Sequence, residues 1–340
     1  MKLSYYKNLD GIRAIAALMV MFYHFFEVNH IYFISDISSF GQTGVTLFFV
    51  LSGFLITRIL LSTKDSKDFF KRFYLNRVVR IFPLYFLFLF IHFFIYPIFS
   101  IANYPTLFEQ VCYYFYFQNY FFSFHNFIEG PLNTWSLAIE EQFYLFWPLI
   151  VYNLKNIALK YIIILIVILS FILRIYFCFK NYEPFYFTFT RIDSLAIGSI
   201  GAIYEFKLIR LSMKKNIFLL ILFYFIYLTA QYFFSYFALV LSIEYLTISF
   251  FYLFLILLVI NIKSIKFVDL ILQNRFLILT GKISYGLYIY HTSIYTITQR
   301  ILPNQSVLVS FIFWFGSSFL ISYISYNYFE KYFFKFKYSH

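Results

Sequence analysis

Long apolar stretches alternate with short polar segments along nearly the whole chain. Ten of these stretches are long enough for a helix to cross about 30 Å of hydrocarbon, which takes about 20 residues. The pattern therefore predicts an all-α, polytopic integral membrane helical bundle of about ten transmembrane helices. The stretches cover residues 12–30, 42–61, 80–100, 134–154, 159–179, 187–205, 215–234, 237–261, 280–301 and 305–329.

Composition points to the same class of protein. Hydrophobic residues make up 62% of the 340 residues, charged residues make up 12%, and the mean hydropathy is +0.76. These values lie far outside the range of soluble proteins. Because apolar stretches recur throughout, we expect residues 1–340 to form a single membrane domain. Cys112 and Cys178 stand far apart and match no metal-binding spacing, so we predict two thiols that face lipid or core, and no metal site.

The basic residues are distributed unevenly between the two sides of the stretches. All but four of the 27 Lys and Arg residues fall in one alternate set of polar segments. Loops rich in Lys and Arg stay in the cytoplasm, so we expect both termini to be cytoplasmic. This placement accounts for the net charge of +12 without a nucleic-acid partner. Residues 101–133, which contain no Lys or Arg, then lie on the outer side, where we predict an interfacial or re-entrant element that could act as a lid.

The first apolar stretch carries two ionisable side chains, Arg13 and His24. They are eleven residues apart, so on a helix they share one face and are separated by about 16 Å along the axis. If the helix enters the membrane near Arg13, His24 lies near the bilayer midplane. An imidazole at that depth is costly and is most often functional.

A cytoplasmic basic cluster precedes the third stretch and contains Arg72, Arg77 and Arg80. Arg77 and Arg80 are three residues apart and share a helix face. Two interpretations stay open for this cluster. It either anchors the loop on the cytoplasmic side, or it forms, together with Arg13 at the same membrane level, a clamp for the phosphates of a cytosolic donor.

Further ionisable residues lie inside later stretches. Glu140 and Glu141 point about 100° apart on a helix, so at least one must face the protein interior or a water-filled cavity. Glu140 either pairs with an intramembrane cation such as Arg191 or orients His24 as a carboxylate orients a catalytic imidazole. We interpret Arg191 and Asp193 as a structural salt bridge, and Gly198 as a site of close helix approach.

His291 lies nine residues after Lys282 and therefore deep in the membrane. It is interpreted either as a hydrogen-bonded packing residue or as part of an acceptor site.

Taken together, these motifs resemble the integral membrane acyltransferase 3 family. The match rests on the joint order of the motifs over nearly the whole chain rather than on any single one. Tyr332 departs from the pattern, since relatives often have Pro there. The motifs are Asp10-Gly-Ile-Arg13 with His24, the segment 48–55 around Ser52, Arg77-x-x-Arg80, Trp135-Ser136-Leu-x-x-Glu140-Glu141-Gln-Phe-Tyr144, Arg191-x-Asp193 followed by Gly198, Ile283-Ser-Tyr285-Gly-Leu-Tyr288 before His291, and Tyr328-Phe-Glu-Lys331.

The resemblance implies an enzyme of the bacterial cytoplasmic membrane. It would move an acyl group, usually acetyl, from cytosolic acyl-CoA to a hydroxyl of a cell-envelope glycan such as lipopolysaccharide, capsule or peptidoglycan. His24 would be the general base or a transient acyl carrier, with Glu140 assisting, and Arg13, Arg77 and Arg80 would hold the donor's phosphates. Family members often carry a further extracytoplasmic hydrolase-like domain, which we do not expect here, so the acceptor would be acylated directly.

Two other functions remain open. A transporter or flippase of a lipid-linked or small glycan would also need intramembrane His, Arg and Glu. A non-catalytic partner in an envelope complex would tolerate replacement of these residues.

Overall fold

The structure, a computed structural model, is entirely helical over the residues that it describes. Those residues are 5–29, 40–124, 128–208, 212–234, 238–261 and 266–338. The helices are α1 Asn8–Val28, α2 Gly44–Thr63, α3 Phe69–Phe90, α4 Leu107–Tyr114, α5 Gln118–Ser123, α6 Trp135–Asn153, α7 Asn156–Phe179, α8 Thr188–Ile203, α9 Glu205–Leu208, α10 Met213–Phe234, α11 Ala238–Asn261, α12 Lys266–Leu272, α13 Arg275–Ile301, α14 Val307–Ile324 and α15 Lys331–Phe333.

A helix occupies each of the ten predicted apolar stretches. Within the described residues, seven of these helices are long and apolar enough, with their adjoining turns, to cross a membrane: α1, α2, α3, α7, α10, α11 and α14. Of the other three, α8 has only 16 residues, and α6 and α13 carry charged side chains in their interiors. The structure therefore confirms a helical, multi-pass membrane protein and supports seven of the ten predicted spans. The cytoplasmic location of the termini stays a prediction.

Glycines allow α2 and α8 to pack in close contact. A Cβ atom on Gly198 would lie 2.0 Å from the carbonyl oxygen of Val50, and one on Gly53 would lie 1.9 Å from that of Leu195. Only hydrogen fits at such separations. The predicted close approach at Gly198 is therefore confirmed, and it fixes α2 firmly against its neighbour.

Helices α1 and α13 run side by side in the same direction. A Cβ atom on Gly281 would lie 2.1 Å from the carbonyl oxygen of Asp10, and further along the pair His24 contacts His291. Helix α2 runs the opposite way, because Gly44 near its beginning packs on Ala16 and Arg58 near its end packs on the ring of Tyr6. These directions decide which residues meet at each end of the bundle.

The segment predicted to be interfacial forms two short helices, α4 and α5, neither of which is long enough to span. Gln118 Nε2 donates to the carbonyl of Thr134 at 3.1 Å, and Asn119 Nδ2 donates to Thr188 Oγ1 at 2.9 Å. The segment is thereby fastened to the beginnings of α6 and α8. This agrees with a non-spanning element, while its role as a lid stays a prediction.

Candidate active site

A cavity of about 600 Å³ lies between α1, α2, α3, α6 and α13. The chain after α14 completes the wall with the π-helical turn Ser325–Glu330 and the segment 334–338. Polar groups from six parts of the chain therefore face one space. The predicted site residues that line it are Asp10, Arg13, Ser52, Arg77, Arg80, Ser136, Glu140 and Tyr285.

Positive charge exceeds negative charge in the cavity wall. Six basic residues line the cavity, and only three carboxylates, Asp10, Glu140 and Glu330, accompany them. Arg13 pairs with Asp10 at 2.8 Å. The basic residues are Arg13, Arg58, Arg77, Arg80, Lys282 and Lys337. The surplus suits an anionic ligand.

Some of these cations have carboxylate partners and others do not. Arg58 Nε lies 2.6 Å from Glu205 Oε2, which lies outside the cavity wall. Over the described ranges, Arg80, Lys282 and Lys337 form no ion pair. Unpaired guanidinium and ammonium groups that face one space provide donors for phosphate oxygens.

The two ends of the cavity differ in chemistry. Arg58 lies six residues after Ser52 on α2, and Lys282 lies six residues before Tyr288 on α13, so each cation is about 9 Å along its helix from the hydroxyl. At the hydroxyl end, Ser52 Oγ donates to Glu140 Oε1 at 2.8 Å, and the hydroxyls of Ser136 and Tyr288 are 2.5 Å apart. The cavity thus runs from a cationic end to an end lined by hydroxyl groups and a carboxylate.

The segment that follows α15 brings Lys337 to the cationic end. The backbone N–H of Tyr338 donates to Asn76 Oδ1 at 2.8 Å, and its hydroxyl donates to Asp68 Oδ2 at 2.7 Å. These two bonds fasten the segment to the beginning of α3. Partial burial and the nearby charges of Arg80 and Arg77 lower the pKa of Lys337. Three cations therefore repel one another there, which an anionic ligand would relieve.

A tyrosine before α1 also borders the cationic end. The hydroxyl of Tyr5 donates to Asp10. Although the residue is 71% exposed, partial burial of its hydroxyl, followed by the hydrogen bond to Asp10, raises the pKa of Tyr5 to about 12. Tyr5 therefore stays neutral and shares Asp10 with Arg13.

An aromatic pair borders the hydroxyl end of the cavity. The rings of Phe48 and Tyr288 meet edge to face with their centroids 6.0 Å apart, and both residues line the cavity. His24 and His291 do not line it. Because His291 is three residues after Tyr288 on α13, the two histidines lie about one helical turn beyond this pair.

The two histidines contact each other directly. His24 Nδ1 lies 3.0 Å from His291 Nε2. His291 is fully buried, and its Nδ1 lies 3.0 Å from the carbonyl oxygen of Leu287 and 2.8 Å from that of Tyr288. Both residues were predicted to be important, but their pairing was not. Among the described residues, no group of three His, Cys, Asp or Glu is placed to hold a metal ion.

The predicted pairing of His24 with Glu140 is not seen. The partner of the His24 ring is His291, and the partner of Glu140 is Ser52. The rise along the helices explains this, because Ser52 and Glu140 lie on the cationic side of the Phe48–Tyr288 pair and His24 lies on the other side. Glu140 therefore belongs to the cavity.

The predicted salt bridge between Arg191 and Asp193 is also wrong. Asp193 Oδ2 lies 2.7 Å from Arg174 Nη2, and both side chains are fully buried. Residues two apart on a helix point about 200° apart, so Arg191 and Asp193 face different neighbours. Arg191 lies over the ring of Tyr245 at 4.1 Å and donates to Thr46 Oγ1 at 3.0 Å. It does not pair with Glu140.

Three further predicted residues lie outside the cavity wall. Trp135 packs on Phe185 with ring centroids 4.7 Å apart. Glu141 is adjacent to Glu140 but does not line the cavity, and Arg72 lies about one and a half helical turns before the cavity-lining part of α3. Of the predicted arginine cluster, the structure therefore places Arg77 and Arg80 in the cavity and Arg72 outside it.

Sequence reasoning did not assign Lys282, Lys337, Arg58 and Tyr288 to the site. Tyr288 ends the motif that contains Tyr285, and Lys282 directly precedes that motif, so the three-residue spacing of Lys282, Tyr285 and Tyr288 on α13 was a usable signal. Lys337 had no such signal, because its place depends on how the segment after α14 folds back.

The fold and this cavity define a multi-pass helical membrane protein with a charged chamber that is lined from several helices. The family described as the acyltransferase domain, acyltransferase 3, matches residues 6–327. The chain belongs to this family, as the motifs indicated.

Parts of this chain are similar to known bacterial O-acetyltransferases and to candidate ones. A peptidoglycan O-acetyltransferase of Listeria monocytogenes is 36% identical over 159 residues, which is 42% of this chain and 24% of the relative. A candidate peptidoglycan O-acetyltransferase of Bacillus subtilis is 33% identical over 240 residues, 62% of this chain and 35% of the relative. A candidate O-acetyltransferase of Staphylococcus aureus is 28% identical over 339 residues, 86% of this chain and 51% of the relative. The chain spans about half the length of these relatives or less. No solved structure gives a significant match.

Proposed function

We propose that this chain transfers an acetyl group from acetyl-CoA to a hydroxyl of a cell-envelope glycan, with peptidoglycan as the first acceptor to test. The observation that carries the proposal is the cavity itself. It joins cations, several of which form no ion pair with any described residue, at one end to hydroxyl groups at the other, and the His24–His291 pair lies about one helical turn further on. The names of the matched relatives favour O-acetylation over the transporter alternative.

The cationic end suits the phosphates of a CoA ester. Guanidinium groups bind phosphate oxygens through paired hydrogen bonds, and lysines act as point charges. Two separate segments supply these cations, namely α3 with Arg77 and Arg80 and the segment 334–338 with Lys337. Because the positive charges are spread over the wall, they favour a ligand with several anionic groups. The acyl end of an extended donor then points toward Ser52, Glu140 and Tyr288.

His24 supplies the base for the transfer. The acceptor hydroxyl gives its proton to the imidazole as its oxygen attacks the thioester carbonyl. The new C–O bond forms, the C–S bond breaks, and the departing thiolate takes the proton back from the imidazole. The net result is an O-acyl ester and free CoA thiol. Because a thioester is already activated, positioning and one base account for much of the rate.

Purified protein in lipid nanodiscs, given radiolabelled acetyl-CoA and peptidoglycan fragments, tests the proposal. We expect label on the glycan, and His24→Ala should reduce transfer by at least about 10²-fold, the low end of general-base effects. His92→Ala is the matched control, because His92 packs among Phe88, Phe93 and Tyr96 and does not line the cavity. Wild-type transfer by His24→Ala would refute the role of His24. Labelling of a different envelope glycan would correct the acceptor alone.

A further inference from the structure

We infer that His291 is a positioning residue that holds the His24 ring as its Nδ1–H tautomer, so that His24 Nε2 carries a lone pair rather than a proton. This inference rests on the proposed function, because it concerns the base of that reaction. His291 is then neither a packing residue only nor a contact of the acceptor, the two interpretations that the sequence allowed.

The first observation fixes the proton of His291. Its Nδ1 lies 3.0 Å from the carbonyl oxygen of Leu287 and 2.8 Å from that of Tyr288. Carbonyl oxygens only accept hydrogen bonds, so Nδ1 must carry the hydrogen. His291 is fully buried, and over the described residues no carboxylate forms an ion pair with it, so its ring is neutral. A neutral imidazole with hydrogen on Nδ1 has an unprotonated Nε2.

The second observation is the hydrogen bond between the two rings, which decides which nitrogen of His24 carries the hydrogen. His24 Nδ1 lies 3.0 Å from His291 Nε2, and a hydrogen bond at that distance needs one hydrogen. Because His291 Nε2 has none, His24 Nδ1 donates it. Neutral His24 then has its lone pair on Nε2, the nitrogen that points away from His291. Free histidine favours the opposite tautomer, with hydrogen on Nε2, which cannot act as a base through that atom.

The third observation is that contacts of α14 hold α1 and α13 together at the level of the histidine pair. The carbonyl oxygen of His291 accepts a 2.8 Å hydrogen bond from Trp314 Nε1. Trp314 in turn stacks on Phe25, the neighbour of His24, with ring centroids 5.0 Å apart. Helix α14 therefore braces α13 against α1 at the level of the histidine pair, which keeps the two rings within hydrogen-bond distance of each other.

Nitrogen NMR on the wild-type chain tests the tautomer directly. The protein, labelled with 15N-histidine and reconstituted in lipid, contains six histidines, and the His24→Asn and His291→Gln variants assign the two relevant signals. We expect His24 and His291 both to carry hydrogen on Nδ1 and none on Nε2. Hydrogen on His24 Nε2, or an average of the two tautomers, would overturn the inference. This readout needs no acceptor, so it stands even if acetyl transfer is not found.

Kinetics of two variants test the consequence. His291→Gln keeps an oxygen that can accept from His24 Nδ1, whereas His291→Met has similar bulk and no such acceptor. We expect His291→Met to lower kcat by about 10²-fold or more, since the wrong tautomer costs up to about 10⁴-fold in a serine protease triad, with donor KM nearly unchanged. His291→Gln should stay within about tenfold of wild type. Equal loss in both variants, or a change confined to KM, would refute positioning. If neither variant folds, the wild-type NMR result decides.

Discussion

Ser52 Oγ donates a hydrogen bond of 2.8 Å to Glu140 Oε1, which links α2 to α6 inside the cavity. Glu140 also lies close enough to Arg77 and Arg13 for their charges to act on it. The carboxylate therefore faces the space where we place the acyl donor, while His24 is oriented by another histidine. Different substitutions should separate these two roles.

Replacement of Glu140 by Gln should leave kcat within about tenfold of wild type, because the amide oxygen still accepts from Ser52 and the base lies elsewhere. Glu140→Ala removes that acceptor and should lower transfer more than Glu140→Gln does. Steady-state transfer assays with both variants, with Ser52→Ala as the reciprocal control, measure this. A loss of about 10²-fold in Glu140→Gln would instead restore the sequence-based pairing of Glu140 with His24.

Replacement of Arg80 by Gln should raise the KM for acetyl-CoA by about tenfold, since a charge-assisted hydrogen bond to phosphate contributes about 1.5 kcal/mol. The acceptor KM should change little. Arg72→Gln is the matched control, because Arg72 lies on the same helix but outside the cavity wall. If both variants change only expression or orientation in the membrane, the cluster serves topology alone.

Lys337→Ala should also weaken donor binding, by about threefold to tenfold, as expected for a partly exposed charge. Lys335→Ala serves as control, because Lys335 is exposed and lies over Tyr332 rather than in the cavity. Binding of CoA and of pantetheine, measured by calorimetry, should distinguish phosphate contacts from other effects. An equal loss for both ligands would argue against a phosphate contact.

Removal of one member of the buried Arg174–Asp193 pair should destabilise the protein by about 3–5 kcal/mol, because the other charge is left buried and unpaired. A double-mutant cycle on thermal unfolding in detergent measures the coupling. We expect strong coupling between Arg174→Met and Asp193→Asn and little between Arg191→Met and Asp193→Asn. Strong coupling of the second pair would favour the sequence-based salt bridge.

Gly198→Ala should lower the yield of folded protein, since the added methyl group would collide with the backbone of Val50 and overpacking costs about 1–3 kcal/mol or more. Gly316→Ala is its control, because a Cβ atom there meets no atom within 4 Å. The monodisperse fraction after size-exclusion chromatography reports the effect. Equal yields from both variants would contradict the close packing of α2 on α8.

Apolar length predicted the helices well, because a membrane-spanning segment has to bury its backbone hydrogen bonds and expose apolar side chains. The same reasoning brought Arg13, Arg77 and Arg80 to one membrane level, and the structure places all three in one cavity. These predictions succeeded because they depend on the rise of a helix and on local composition.

Partners from distant helices could not be predicted in this way. Arg191 was predicted as the ion-pair partner of Asp193 because the two are close in sequence. The actual partner, Arg174, lies on the preceding helix. His24 and His291 are 267 residues apart, and no spacing rule links them. Their contact depends on the parallel packing of α1 and α13, which is a property of the whole bundle.

The edge-to-face contact of Phe48 and Tyr288 bears on the ion gradients across the membrane. A passage open from one membrane face to the other would dissipate proton and ion gradients. Both rings line the hydroxyl end of the chamber, and Tyr288 lies about one helical turn before His291 on α13. Under the proposed function, the acyl group is handed on beside packed aromatic rings rather than charged side chains, and such apolar surfaces oppose the passage of hydrated ions.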